Sequence, residues 1–258
     1  MQSNDLMPAE SLYLRDRLRA ARYAALADAE GFQEVCFAVE AVGMRLTGAE
    51  RTLNGYRLAL QKLAQCSPLL SDLPTRFPAL FTHFDALYET VRQARNDAMH
   101  RGSYARHATV AAVELCVGFE EALMNAGSAK RTVADYMVKV PIFIEPWQPV
   151  AQARQLMLTH SFSFLPVLHQ GRWHLLSELA VVNYLYPMSR DSKGVALAEP
   201  ISAAVTAGLI LLAAKEVSTS DEVADLLNST APTPNPTLWL VVDKENRLTG
   251  VLSPFELM

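Results

Sequence analysis

The chain has 258 residues, half of them hydrophobic, and a formal net charge of −4. That length suffices for two ordinary domains with modest cores. No apolar run approaches the roughly 18 to 20 residues needed to cross a bilayer, and the N-terminal MQSNDLMPAESLYLRDR lacks the basic-then-apolar order of a secretory signal, so no membrane association and a cytoplasmic location are expected.

Charge is balanced along the chain, with 14 basic against 15 acidic residues up to Lys130 and 9 against 12 beyond it. Neither half is therefore a broad electrostatic binder of nucleic acid. Up to Lys130 the basic residues are almost all arginine, which suits bidentate phosphate contacts, so any RNA contact is expected to be local. Cys36, Cys66 and Cys116 are odd in number, far apart and without metal-ligand spacing. Buried reduced thiols and no metal site are expected.

Residues 8 to about 66 read as helices. Pro8 opens a run with Leu12, Leu14, Leu18, Ala21, Ala25 and Leu26 at helical spacing. After Gly31, a second run carries Phe32, Val35, Cys36, Val39 and Val42, and a third, after Thr47-Gly48, carries Leu53, Leu58, Leu60 and Leu63. The three prolines of SPLLSDLPTRFP, residues 67 to 78, predict a loop. A helix from about Ala79 to Arg101 follows, with Leu80, Phe84, Leu87, Tyr88 and Val91 as its stripe and Gly102 as its left-handed stop. Another spans about Tyr104 to Asn125. Residues 1–130 are expected to form a compact helical bundle.

Beyond Gly127 the periodicity turns mixed. Strand VPIFIE, a helix from Val150 to Thr159, strand FLPVL, and WHLLSEL running from strand into helix make a first unit. From about Ile201 a related order recurs: LILLAAKEV, a helix Asp221 to Asn228, LWLVVD, LTGVLS and the terminal PFELM. A period of roughly 65 to 75 residues predicts two copies of one supersecondary unit packed together. The fold class is thus α plus α/β.

The stretch RNDAMHRG, Arg95 to Gly102, is the best candidate for chemistry. RNA is cleaved by its own 2′-hydroxyl when a base removes the proton, a cation stabilises the growing phosphate charge and an acid protonates the leaving oxygen. An unperturbed imidazole suits proton transfer near neutrality, which makes His100 the candidate acid or base, and Arg95 is a permanent planar cation. On a straight helix Asn96 shares a face with His100 and can orient it, whereas Arg95 lies about 140° round. One protomer offers one imidazole for two proton transfers, so a two-fold homodimer is expected on mechanistic grounds. The competing reading is that His100 caps the helix C-terminus and Asp97 pairs with Arg101. His83 and His107 read as surface or core-edge residues, and Trp147, Trp173 and Trp239 as core or interface indoles.

With its helical setting and Tyr104 just beyond, RNDAMHRG resembles the Arg-x4-His signature of the HEPN superfamily. The resemblance implies a metal-independent ribonuclease acting as a homodimer on single-stranded RNA, of toxin or phage-defence type, with no cofactor required for catalysis. Some members of that superfamily only bind. Nothing in the sequence reveals an antitoxin partner.

Residues 131–258 resemble a CBS pair. VADYM, PVAQARQLM, HSFSFLPV and LLSEL carry the first motif, about 131–187, and EVSTSDEVADLL, LVVDKENRLTGVLS and Glu256 the second, about 200–258. The resemblance implies a regulatory ligand such as AMP, ATP or S-adenosylmethionine held between the motifs. Carried over, the base-side positions are Ile142, Phe143, Ser163, Leu165 and Pro166, and the ribose-side pairs are Ser177 with position 180, and Ser253 with Glu256. Ala180 lacks the carboxylate the first pair needs, and Leu240 stands where the first motif has Pro166. Both a nucleotide sensor and a degenerate, structural pair serving dimerisation fit this pattern.

Overall fold

A computed structural model describes residues 6–101, 106–126, 131–229 and 238–257; the side chains at 29, 98–101, 106, 107 and 229 are outside that description. The chain divides into two compact units, Met1–Ala129 and Lys130–Met258.

The first unit is all-helical. Its elements are α1 (Pro8–Ala27), α2 (Phe32–Thr47), α3 (Leu53–Ala64), a short α4 (Asp72–Arg76), α5 (Phe84–Arg101) and α6 (Arg106–Asn125). Helix α1 packs on α6 and α2, and α5 on α6. Leu18, Phe32, Val39, Leu60, Val91, Leu115 and Phe119 have no exposed surface and form the centre of the core. Two glycines permit close approaches: a Cβ on Gly43 would stand 2.4 Å from Tyr56 Cγ, and one on Gly118 would stand 2.3 Å from Leu70 Cγ. Buried tyrosines keep their polar tips bonded, Tyr56 Oη accepting from the Arg51 N–H at 2.6 Å and Tyr88 Oη donating to the Leu53 carbonyl at 2.5 Å.

Much of the arginine is spent on carboxylates. Arg22 of α1 holds Glu120 of α6 through two bonds of 2.7 and 3.1 Å, with Arg19 3.5 Å away. Arg45 pairs with Glu10, Arg57 with Asp85, and Arg92 with Glu89. The planar fork that suits phosphate suits carboxylate equally. Arginine enrichment in this half is therefore in good part structural.

Several sequence expectations are corrected here. Helix α5 starts at Phe84, not Ala79, and Leu80 is 78% exposed instead of belonging to the stripe. Residues 67–78 are not wholly loop, because Pro74 sits in the first turn of α4, where a missing N–H is tolerated. Leu58 and Leu26 face solvent. Cys66 is exposed, unlike Cys36 and Cys116. The expected stop at Gly102 lies outside the described residues.

The second unit contains two sheets. One has strand order β1-β7-β6-β5 and the other β2-β3-β4. The strands are β1 (Val138–Lys139), β2 (Phe164–His169), β3 (Arg172–Ser177), β4 (Leu212–Ala213), β5 (Lys215–Val217), β6 (Trp239–Val242) and β7 (Leu248–Leu252). Helices α7 (Val133–Tyr136), α8 (Val150–His160), α9 (Glu178–Leu185), α10 (Arg190–Ala198), α11 (Ile201–Thr206) and α12 (Val223–Ser229) accompany them, and a 3-10 turn closes Pro254–Leu257.

The two repeats exchange strands. β1, near the start of the first repeat, pairs antiparallel with β7 of the second, Val138 opposite Val251, while β4, near the start of the second repeat, pairs with β3 of the first, His174 opposite Ala213. This divides LILLAAKEV, expected as one strand, between two sheets. VPIFIE is likewise not a strand: Pro141 follows Val140, which sits at φ 55°, and only Ile144 makes an isolated bridge, to Val167. Helices α10 and α11 have no counterpart in the sequence reading.

Candidate functional site

In the first unit the site begins at α5. Arg95 Nη2 lies 2.7 Å from Glu40 Oε1 on α2, with both side chains partly buried, 31% and 22% exposed. The bundle thus fixes the guanidinium from a helix remote in sequence. Glu40 was missed by sequence reading; its signal is a carboxylate wedged between Val39 and Ala41, both buried on the core face of α2. Asn96 and Asp97 are exposed. The side chains of His100 and Arg101 lie outside the described residues, as do Gly102 and Tyr104, so the Asn96–His100 and Asp97–Arg101 contacts expected from sequence fall outside the description too.

One turn before Glu40, Cys36 faces the same ion pair. Burial pushes its thiol up to about 12, with Arg95 pulling it down and Glu40 adding to the rise. A thiol so placed is protonated and unreactive. His83 lies on the surface, lining a cavity of about 330 Å³ with Gln61, Asp72, Thr75 and Asp85.

In the second unit most carried-over positions gather near the β2–β3 hairpin. The Ile144 N–H donates to the Pro166 carbonyl at 2.9 Å, which sets Phe143 beside the strand. Ile142 is 37% and Phe143 40% exposed, and Phe143 meets Trp173 edge to face at 5.9 Å. At the open end of the hairpin the Ser163 carbonyl accepts from the Glu178 N–H, and Phe164 pairs with Ser177. Ser177 Oγ accepts from the Ala180 N–H at 3.0 Å, capping α9.

Leu165 points its side chain away from any solvent-facing surface. It has no exposed surface and belongs to the core with Val150, Ala153, Val167 and Leu176, on the strand face opposite Pro166. Its side chain packs the repeat, and the neighbouring Pro166 is buried as well. Trp147, expected in a core or interface, is 70% exposed, whereas Trp173 and Trp239 are buried.

Ser253 and Glu256 are brought together. The Ser253 N–H donates to Glu256 Oε2 at 2.8 Å, and its hydroxyl donates to the same oxygen. The pair caps the last turn. On the hairpin itself, Trp173 packs with Leu175 of the same strand and with Leu240 of the other repeat. Its indole N–H donates to the Asn246 carbonyl at 3.0 Å, and Asn246 Nδ2 donates back to the Gly171 carbonyl at 3.1 Å. This reciprocal clamp fills part of the space between the repeats with protein.

No protein-family profile matches the chain. Nor does any curated protein. Among solved structures, it is similar to a CBS-domain protein of unknown function from Bacillus anthracis, at 14% identity and TM-score 0.40, over 49% of this chain and 89% of that one. It is also similar to CBSX2 in complex with AMP, at 18% identity and TM-score 0.36, over 49% and 92%. A third is a CBS domain pair in complex with 5′-methylthioadenosine and S-adenosyl-L-methionine, at 14% identity and TM-score 0.37, over 50% and 94%. Among the described residues, no helix is long and apolar enough to cross a membrane.

Proposed function

We propose that this chain is a nucleotide-responsive, homodimeric ribonuclease of HEPN type: residues 1–130 cleave single-stranded RNA without metal, and residues 131–258 act as a CBS pair that sets this activity through an adenine nucleotide. The observation that carries the catalytic reading is the anchoring of Arg95 by Glu40. An ion pair at 2.7 Å holds the guanidinium's direction while leaving it part-exposed, and so preorganised for a phosphate. In this scheme Arg95 stabilises the phosphate charge, His100 transfers the proton, Asn96 orients His100, and a second protomer supplies the second imidazole.

The regulatory reading rests on the sequence resemblance together with two features of the second unit. Phe143 offers a part-exposed ring next to the strand that carries Pro166, and Ser253 with Glu256 presents a hydroxyl and carboxylate fixed to each other. A purine and a ribose diol are the ligand groups such surfaces take. Homodimerisation is supported by an apolar stripe along α9 and its C-cap, where Leu179, Val182 and Tyr186 are 63%, 54% and 80% exposed at spacings of three and four residues.

A second reading has its own support. Arg95 is already neutralised by Glu40, Ala180 supplies no acceptor, and Trp173 occupies space between the repeats. In that reading the chain is a non-catalytic nucleotide-sensing or dimerisation scaffold.

The test mixes the full chain with pooled single-stranded RNA in EDTA, beside Arg95→Ala and His100→Ala, with and without AMP, ATP or S-adenosylmethionine. Metal-free cleavage lost in both variants and altered by one nucleotide is the expected result. Cleavage that survives both substitutions, or none under any nucleotide, leaves the scaffold reading, and saturable nucleotide binding then separates a sensor from a purely structural pair.

A further inference from the structure

The β2–β3 hairpin carries two histidines that the proposed activities do not use. His169 ends β2 and stands opposite Arg172; His174 stands opposite Val167, two residues along the partner strand. Alternation places Val167, His169, Arg172 and His174 on one face. The imidazoles are thus diagonal neighbours, their ring centres 6.1 Å apart and their planes at 79°. We propose that His169 and His174 form a two-imidazole site for a borderline divalent transition metal, Cu2+, Ni2+ or Zn2+.

The first support is the protonation pattern. His174 Nδ1 is 3.0 Å from the Arg172 carbonyl oxygen. A carbonyl only accepts, so Nδ1 carries the hydrogen, and neutral His174 is left with its lone pair on Nε2. A ligating histidine commonly donates its second ring N–H to a backbone carbonyl in this way, fixing both tautomer and ring direction.

The second support is distance. With metal–nitrogen bonds of about 2.0 to 2.1 Å, two imidazole ring centres sharing one ion stand roughly 5 to 6.4 Å apart, from a tetrahedral to a linear ligand angle. The 6.1 Å separation lies toward the linear end of that range, as a trans-like pair of ligands on a square-planar ion would.

The third is rigidity. Gln170 and Gly171 close the hairpin as a two-residue turn with φ of 51° and 76°. Asn246 of the other repeat clamps that turn, its carbonyl accepting from the Trp173 indole of the hairpin and its amide donating to the Gly171 carbonyl. Both ligands ride on strands held from two sides, so little ordering cost opposes binding.

Among the described residues no cluster of three or more His, Cys, Asp or Glu could hold a metal. The pair therefore supplies two ligands, and water or an exogenous donor completes the shell. Arg172, on the same face, opposes a cation and favours an anionic exogenous ligand. The ion that binds nitrogen most strongly, Cu2+, is accordingly the best match.

The experiment titrates the full chain with Cu2+ in a non-coordinating buffer, read by calorimetry and by electron paramagnetic resonance. One equivalent is expected to bind in the micromolar range, with nitrogen hyperfine structure from two imidazoles. His169→Ala and His174→Ala, each checked by circular dichroism for an unchanged fold, should each weaken binding by about tenfold or more. His160→Ala, a histidine stacked on Phe162 at the end of α8, should leave it unchanged. Binding that persists in both hairpin variants, or none at all, overturns the proposal.

Discussion

Arg95 Nη2 and Glu40 Oε1 stand 2.7 Å apart, joining α5 to α2. A partly buried pair of this kind holds direction better than an exposed one, yet neutralises the charge a phosphate would seek. Glu40→Gln keeps an acceptor and removes the negative charge. RNA should then bind more tightly while turnover falls, because the freed guanidinium gains attraction and loses its aim. A decrease in kcat of about tenfold, near 1.4 kcal/mol, with KM lowered is the expected split; an equal loss in both binding and turnover would mark Glu40 as merely structural.

The helices carrying this pair were legible in sequence, but the pair was not. Leu14, Leu18 and Ala21, and Val35, Val39 and Val42, repeat at helical spacing and fall in the core as expected. Glu40 and Arg95 meet only through packing, which periodicity does not encode. The second unit shows the same limit differently. The repeat order was visible, but Leu212 and Lys215 lie in one apolar run and join different sheets. Alternation says which face a residue takes, not which partner strand it finds. Leu165 and Pro166 show the same register rule: adjacent in sequence, they take opposite faces of β2, and both are buried.

Trp173 joins the two repeats by burial and by one hydrogen bond, and the two contributions separate by substitution. Trp173→Phe retains most of the apolar contact with Leu175 and Leu240 but loses the bond to the Asn246 carbonyl. It should cost about 1 kcal/mol. Trp173→Ala opens a cavity as well and should cost about 3 to 5 kcal/mol. Urea unfolding followed by circular dichroism measures both, and equal losses would contradict a packing role.

Val140 is 90% exposed and left-handed at φ 55°, directly before Pro141. A β-branched residue gains nothing there from packing and is strained by about 1 to 2 kcal/mol. Val140→Gly relieves that strain and adds about 0.5 to 1 kcal/mol of unfolded-state entropy. Stability should rise by about 0.5 kcal/mol, against the usual loss for glycine. A lowered melting temperature would show that the left-handed conformation is not held in solution.

The thiols should divide by burial. Cys36 is pushed up to about 12 and Cys116 also well up, both chiefly by burial, whereas Cys66 is exposed at the end of α3. At pH 8 a disulfide reagent should titrate one thiol in the folded protein and all three in denaturant. Cys66→Ser should abolish the folded-state reaction. Fast reaction of a second thiol would mean that the α2–α6 core opens on the assay timescale.

Glu10 provides a signed test of acid stability. Arg45 donates to it at 2.7 and 2.5 Å and the Met7 N–H at 2.8 Å, so it ties the start of α1 to the end of α2. The hydrogen bond from Arg45, followed by that from Met7, holds its carboxyl below the ordinary value of 4.5. A group whose folded pKa is depressed binds fewer protons folded than unfolded, so its stabilisation is fully present above the unfolded value. That stabilisation fades as pH falls from about 4.5 through the folded pKa. Glu10→Gln should therefore lower the melting temperature modestly at pH 7, flatten its decline below pH 5, and converge with the parent chain at the acid end. Parallel curves at all pH values would show that the Arg45–Glu10 link contributes no charge-dependent stability.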